Sequence, residues 1–317
     1  MNALQAKFQG LHQYSAPLTA ADDLFTFWEQ TKQEAKLNPL SASKTLVEDS
    51  LLHAITYKVT YCGFDDTPIQ GWFLIPVYPV QKQYPCVLSF HGYTGQKGLP
   101  EEYAQWLLMG VAVFAIDIRG QGGETGNHLK QTFGTTKGWI TQGILDKDTC
   151  YYKAITVDCL RALDWLVEQP EIDAERIGIV GGSQGGGLAL ICTALSDKVA
   201  ATIAHIPNMC HMDFGVINST SSLTEIGPLL LQYPAYTEQV FDTLSYFDML
   251  NLAHLIRTPL LVSVGLKDTV CLPETIFAVY NRIAPEHKSI LIDPFAGHEV
   301  SRANNREGLR FMQDHLM

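Results

Sequence analysis

The sequence predicts an α/β architecture, a mostly parallel sheet covered by helices on both faces, with antiparallel strands at its amino-terminal edge. Three observations carry this reading. From residue 86 onward, short uninterrupted apolar runs alternate with helical segments, the pattern of strands buried on both faces. Before them, residues 57–75 read as a hairpin, two strands around a turn rich in Gly, Asp and Pro. The chain also has 317 residues, 46% of them hydrophobic, which is enough for one large core.

The elements follow in order. Residues 1–48 read as an extension packed on the outside of the rest, helical over 22–34 and otherwise loop. Strands are predicted over 57–61, 69–75, 86–90, 111–116, 177–180, 200–206, 260–264 and 289–292. Helices are predicted over 101–108, 153–168, 186–195, 273–283 and 304–316. In the second of these Ile155, Cys159, Ala162 and Leu166 share a face and Pro170 follows the end. Residues 207–255 break the alternation. They read as a helical insertion, a lid or pocket wall, over the carboxyl ends of the strands, where α/β proteins bind their ligands. Neither internal repeats nor low-complexity tracts interrupt the chain, so a single domain over 1–317 is expected.

Composition excludes several classes. A formal net charge of −11 argues against a nucleic-acid backbone or an anionic membrane surface as partner. The first residues lack a basic segment followed by an apolar run, and the sequence contains no apolar stretch of roughly 18 residues. A cytoplasmic protein is the expectation. The seven cysteines, at 62, 86, 150, 159, 192, 210 and 271, are scattered without a C-x-x-C pair, which argues against a disulfide framework or structural zinc. An H-E-x-x-H motif is missing, and Cys210-His211 lacks further ligands at sensible spacing. Arg119-Gly-Gln-Gly-Gly123 matches neither nucleotide-binding pattern. Arg119 therefore reads as a bridge between loops below the site, and no metal or cofactor is expected.

The chemistry lies in Gly181-Gly182-Ser183-Gln184-Gly185, a G-x-S-x-G sequence between a predicted strand and a predicted apolar helix. That is the context of a nucleophile elbow, and it narrows the expectation to the α/β-hydrolase fold. A serine hydroxyl needs a base within hydrogen-bond reach, and the base needs an orienting carboxylate. In this fold they follow in the order acid, then histidine. Asp268 and His298 stand just beyond two successive strands at the same edge as Ser183. The competitors fit less well. Asp293 falls on the strand end itself, and Glu274 and Asp248 lack the strand-end position. His287 and His315 belong to surface helices, and His205 and His254 read as core or cap residues. Two backbone N–H groups must hold the developing oxyanion. The amide of Gln184 follows the nucleophile, and that of Tyr93 lies in His91-Gly-Tyr-Thr-Gly95 after the strand 86–90. His91 itself reads as a residue that holds this loop.

Taken together, His91-Gly-Tyr93, Arg119-Gly-Gln121, Gly181-Gly-Ser183-Gln-Gly185 and His298-Glu299 resemble the acetyl xylan esterase and cephalosporin C deacetylase family, carbohydrate esterase family 7. Residues 138–146, Tyr151-Tyr152, and 263–268 followed by Pro273 add to the likeness, which runs from about residue 50 to the end. The resemblance implies removal of acetyl groups from sugars, xylo-oligosaccharides among them, and from small esters such as cephalosporin C. It implies the triad Ser183, Asp268 and His298, oxyanion donors at Tyr93 and Gln184, contact of Tyr93 with substrate, an intracellular location and a homohexamer. Residues 208–214 and 219–232 depart from the family's wording. Peptidases of this fold carry a large added domain, dienelactone-type hydrolases use Cys at the nucleophile, and non-catalytic relatives lose a triad member. An α/β hydrolase of other ester or peptide specificity, or a non-catalytic binding protein of the same fold, is the alternative reading.

Overall fold

The computed structural model describes residues 1–134 and 137–317. Among them, nine strands form one sheet: β1 Ser43–Val47, β2 Ala54–Cys62, β3 Pro68–Pro76, β4 Tyr84–Phe90, β5 Ala112–Ile116, β6 Ile172–Gly182, β7 Ala201–His205, β8 Leu260–Gly265 and β9 Lys288–Asp293. The order is β1-β2-β3-β5-β4-β6-β7-β8-β9, antiparallel from β1 through β3 to β5 and parallel beyond. The chain enters the parallel part at β4, places β5 on one flank and then crosses to β6 on the other. That reversal opens a crevice beyond the carboxyl ends of β4 and β6. The loops carrying Tyr93 and Ser183 both begin there.

The helices are α1 Ala3–His12, α2 Leu24–Leu37, α3 Ala104–Leu108, α4 Tyr151–Val167, α5 Gln184–Leu195, α6 Met212–Asn218, α7 Ile226–Gln232, α8 Thr237–Ser245, α9 Met249–Leu252, α10 Pro273–Tyr280 and α11 Arg302–Leu316. The two-residue period of the strands divides the core. Cys86 and Leu88 face the larger core with α4 and α5, while Val87 and Val113 face the smaller one with α3 and α11.

Two features depart from the sequence expectations. The segment Ser-Lys-Thr-Leu-Val of β1 reads as loop because it is mostly exposed and carries little apolar alternation. It forms the edge strand, pairing Ser43 with Thr60 and Val47 with Thr56. Residues 3–12, expected as loop, form α1, and the otherwise exposed extension turns one face of its helices inward. Leu11, Leu24, Phe27 and Trp28 belong to the larger core. Trp28 is buried, donates through Nε1 to the carbonyl of Tyr246 at 2.9 Å, and meets Phe247 edge-on at 5.7 Å. Truncating a buried aromatic of this kind typically costs about 3–5 kcal/mol.

The segment 207–255 is helical, as expected, and continues directly from β7. The buried carboxylate of Asp248 organises its base. Asp248 caps α9 by accepting from the Leu250 N–H at 2.8 Å, and it also accepts from the His211 and Met212 N–H groups at 2.8 and 2.6 Å. The Thr220 N–H donates to the carbonyl of Thr269 at 2.9 Å, which lays this segment against the loop after β8.

Candidate active site

Ser183 sits between β6 and α5 at φ 56°, ψ −118°, a region that non-glycine residues enter only where surrounding structure enforces it. Here its N–H donates to the carbonyl of His205 at 2.9 Å, and its carbonyl accepts from Asn208 and Gly187 at 2.9 and 3.1 Å. The flanking glycines are a matter of space. A Cβ on Gly181 would lie 2.1 Å from the carbonyl oxygen of Gly185, and one on Gly185 would lie 2.1 Å from that of Phe90. The G-x-S-x-G sequence is thus what this strand-to-helix crossing requires.

The structure brings the three predicted side chains together. His298 Nε2 lies 3.0 Å from Ser183 Oγ, and His298 Nδ1 lies 2.8 Å from Asp268 Oδ2. Asp268 is buried, and its other oxygen accepts from the Val270 and Cys271 N–H groups at 2.8 and 2.9 Å. A carboxylate gripped in this way can accept only from a protonated Nδ1, which leaves Nε2 as the acceptor facing the serine hydroxyl.

The loops bearing Asp268 and His298 are stitched together by backbone. Leu266 N–H donates to the carbonyl of Asp293, and Lys267 N–H to that of Ala296, both at 3.0 Å. Gly265 is what lets them touch, since a Cβ there would lie 2.4 Å from the carbonyl oxygen of Gly297. The competing groups have other partners. Asp293 lends the stitch its backbone, Glu274 pairs with Lys7 at 2.5 Å, and His205 Nδ1 lies 2.9 Å from Ser263 Oγ. Cys210 Sγ approaches the carbonyl of Asn208 at 3.4 Å, whereas His211 Nε2 lies 3.4 Å from Asp213.

The opposite side of Ser183 is formed by the loop after β4. It lies against the nucleophile, since a Cβ on Gly92 would be 3.6 Å from Ser183 Cβ. The carbonyl of Gly92 accepts from His91 Nδ1 at 2.7 Å and from the Gly95 N–H at 3.0 Å. A trans peptide is planar, so pinning that carbonyl turns the N–H of Tyr93 the opposite way. His91 Nε2 accepts from the Ile118 N–H at 2.8 Å, which fixes the tautomer, and burial pushes the pKa of the ring down. Among the described residues, neither the Tyr93 nor the Gln184 N–H donates a hydrogen bond within the chain, so both remain available to a ligand oxygen.

A second set of residues, whose placement local sequence patterns do not reveal, holds these two amides in register. Gln121 is buried. Its Oε1 accepts from the Thr94 N–H at 2.8 Å, and its Nε2 donates to Gln184 Oε1 at 2.7 Å and to Tyr151 Oη at 2.9 Å. It therefore ties the loop of Tyr93 to the residue after the nucleophile. Below it, the buried Arg119 donates to both oxygens of Asp158 at 2.6 and 2.8 Å and to Asp65 at 2.7 Å, and its carbonyl accepts from Tyr151 Oη at 2.6 Å. Arg119 is thus the loop bridge that the sequence suggests. Cys271 is buried, with its thiol beside the Ser183 hydroxyl and the Asn208 side chain, and burial pushes its pKa up.

Comparison with known proteins gives a consistent result. The family model described as "Acetyl xylan esterase (AXE1)" matches residues 1–315. The acetyl esterase Axe7A of Xylanibacter ruminicola is 29% identical over 290 residues, covering 89% of this chain and 64% of that protein. The chain thus spans less than two thirds of the length of this curated relative. The structure of an acetyl xylan esterase from Paenibacillus sp. R4 superposes with a TM-score of 0.93 at 38% identity, covering 97% of this chain and 99% of that one. Acetyl xylan esterase 1 from Thermoanaerobacterium sp. JW/SL YS485 superposes with a TM-score of 0.91 at 28% identity, covering 98% of each chain. With its nine-stranded sheet, its elbow serine and a family match over nearly all its residues, this α/β-hydrolase chain belongs to the acetyl xylan esterase family.

Proposed function

We propose that this chain is a serine esterase that removes acetyl groups from acetylated carbohydrates such as xylo-oligosaccharides, and from small acetyl esters such as cephalosporin C. The observation that carries the reading is the continuous line from Ser183 Oγ through the His298 ring to Asp268, at 3.0 and 2.8 Å.

In the first half-reaction His298 Nε2 takes the hydroxyl proton as Ser183 Oγ bonds to the acetyl carbonyl carbon. The tetrahedral oxyanion is held by the N–H groups of Tyr93 and Gln184. Asp268 keeps the imidazolium oriented. His298 then returns the proton to the departing sugar oxygen as the ester bond breaks, leaving an acetyl-serine. In the second half, water gives a proton to His298 and attacks the acetyl group, and acetate leaves as Ser183 regains its proton. No cofactor takes part in either half.

Replacing Ser183 with Ala should lower turnover of an acetyl ester by about 10⁴-fold or more, and near-normal turnover would overturn the assignment. A panel running from acetyl to octanoyl esters, beside acetylated xylo-oligosaccharides and cephalosporin C, reads the substrate preference. We further propose that residues 1–317 act as one catalytic domain with residues 207–255 as the pocket wall, and that Tyr93 also contacts substrate. By family likeness the protein is a cytoplasmic homohexamer, and light scattering on the purified chain tests the assembly. Among the described residues no helix is long and apolar enough to cross a membrane.

A further inference from the structure

Three segments distant in sequence meet at the hydroxyl of Tyr93. It accepts from the Trp139 N–H at 3.0 Å and donates to Glu225 Oε2 at 2.7 Å. The Trp139 ring packs edge-on against the Tyr93 ring at 5.3 Å. The contact leaves no room for a further side chain. Gly138 sits at φ +66°, and a Cβ there would lie 1.8 Å from Glu225 Oε2 and 2.5 Å from Tyr93 Oη. Glu225 closes the short turn Ser222–Glu225 ahead of α7, between the buried Leu223 and Ile226. Those two anchors set the direction of its carboxylate.

We propose that Glu225 is a positioning residue for ester hydrolysis, acting from the helical segment through the Tyr93 phenol to hold the Tyr93 backbone N–H on the oxyanion. The inference rests on the esterase reading above. Its physical basis is alignment. The neighbours of this amide are fixed by His91 and Gln121, and the phenol is the third point that stops residue 93 from tilting. A hydrogen bond weakens steeply as its angle closes, and the oxyanion exists only in the transition state. Loss of the third anchor should therefore appear in kcat rather than in KM.

The test compares the wild-type chain with Glu225→Ala, Glu225→Gln, Tyr93→Phe and the Glu225→Ala/Tyr93→Phe pair. The readouts are p-nitrophenyl acetate kinetics and inhibition by a trifluoromethyl ketone, whose adduct with Ser183 presents an oxyanion. Glu225→Ala and Tyr93→Phe should each lower kcat by about 5–20-fold with KM within about twofold, and should raise the ketone Ki by the same factor. The pair should lose no more than either single variant, because both remove one contact. Glu225→Gln, whose amide oxygen still accepts, should stay within about threefold of wild type. A change confined to KM, an unmoved Ki, or losses that multiply in the pair would overturn the proposal. If Glu225→Ala fails to fold, Tyr93→Phe must by itself show the matched kcat and Ki shifts, and their absence counts against it. A wild-type chain without acetyl esterase activity sinks the esterase reading, whereas an active wild type with both single variants unaffected sinks only this inference.

Discussion

The two flanks of Ser183 are built on different principles. On the acid–base flank, Asp268 and His298 stand on adjoining strand-end loops. Two backbone hydrogen bonds and the close approach at Gly265 join those loops. On the oxyanion flank, the loop of Tyr93 is held by side chains from distant segments: Gln121 after β5, Glu225 before α7, and Arg119 with Tyr151 beneath. The first flank gets its geometry from local chain path, the second from a buried polar network. The acid–base side should therefore lose activity without losing stability, and the oxyanion side should lose both together.

The largest expected effect tests the first half of that contrast. His298→Ala should cost about 10⁴-fold in kcat/KM while changing unfolding free energy by less than about 1 kcal/mol, because the ring is partly exposed and its loop is held by backbone. Paired kinetics and urea denaturation would check it, and a variant that also unfolds readily would erase the distinction between the flanks. Next comes Arg119→Leu. It leaves the buried carboxylate of Asp158 without its cation, at a cost of about 3–5 kcal/mol by denaturant melt, with activity falling in step.

A smaller effect is expected from pH. Burial lowers the pKa of His91 and takes that of His205, whose carbonyl accepts from the nucleophile, to about 4. Folding keeps these rings neutral, while the unfolded chain protonates them near pH 6.5. The stability they contribute is thus present above pH 6.5 and is lost as pH falls toward 4, by roughly 2–3 kcal/mol for His205. His205→Asn should flatten the difference in unfolding free energy between pH 7.5 and 5, and an unchanged slope would remove the back of the elbow from the acid-sensitive set. The smallest effect sharpens the comparison from the oxyanion side. Gln121→Ala should lower kcat by about tenfold with little change in KM, together with a stability loss of about 1–2 kcal/mol from the unpaired Gln184 and Tyr151 groups.

The same contrast explains what could be read from the residues alone. Ser183 is legible because its glycines answer a local steric demand. Asp268 and His298 are legible because each follows a short apolar run bounded by turn residues, the buried β8 for Asp268 and the half-buried edge strand β9 for His298. The interior strands are legible for the same reason. The role of Gln121 is not, since its partners lie 27, 30 and 63 residues away and no periodicity marks them. Glu225 sits among short turns where charge, burial and spacing give no repeating signal. β1 is missed because an exposed edge strand needs little apolar alternation. The extension around Trp28 looks external because its contacts come from the far end of the chain.

That last contact bears on how the polypeptide is made. Trp28 and its partner Tyr246 are 218 residues apart, so α2 leaves the ribosome long before the surface that covers Leu24, Phe27 and Trp28 has been synthesised. Until then this apolar ridge is open to chaperones or to neighbouring nascent chains. The packing around Trp28 is therefore completed only once residues 246 and 247 have been made, while β8 and β9 are still to come.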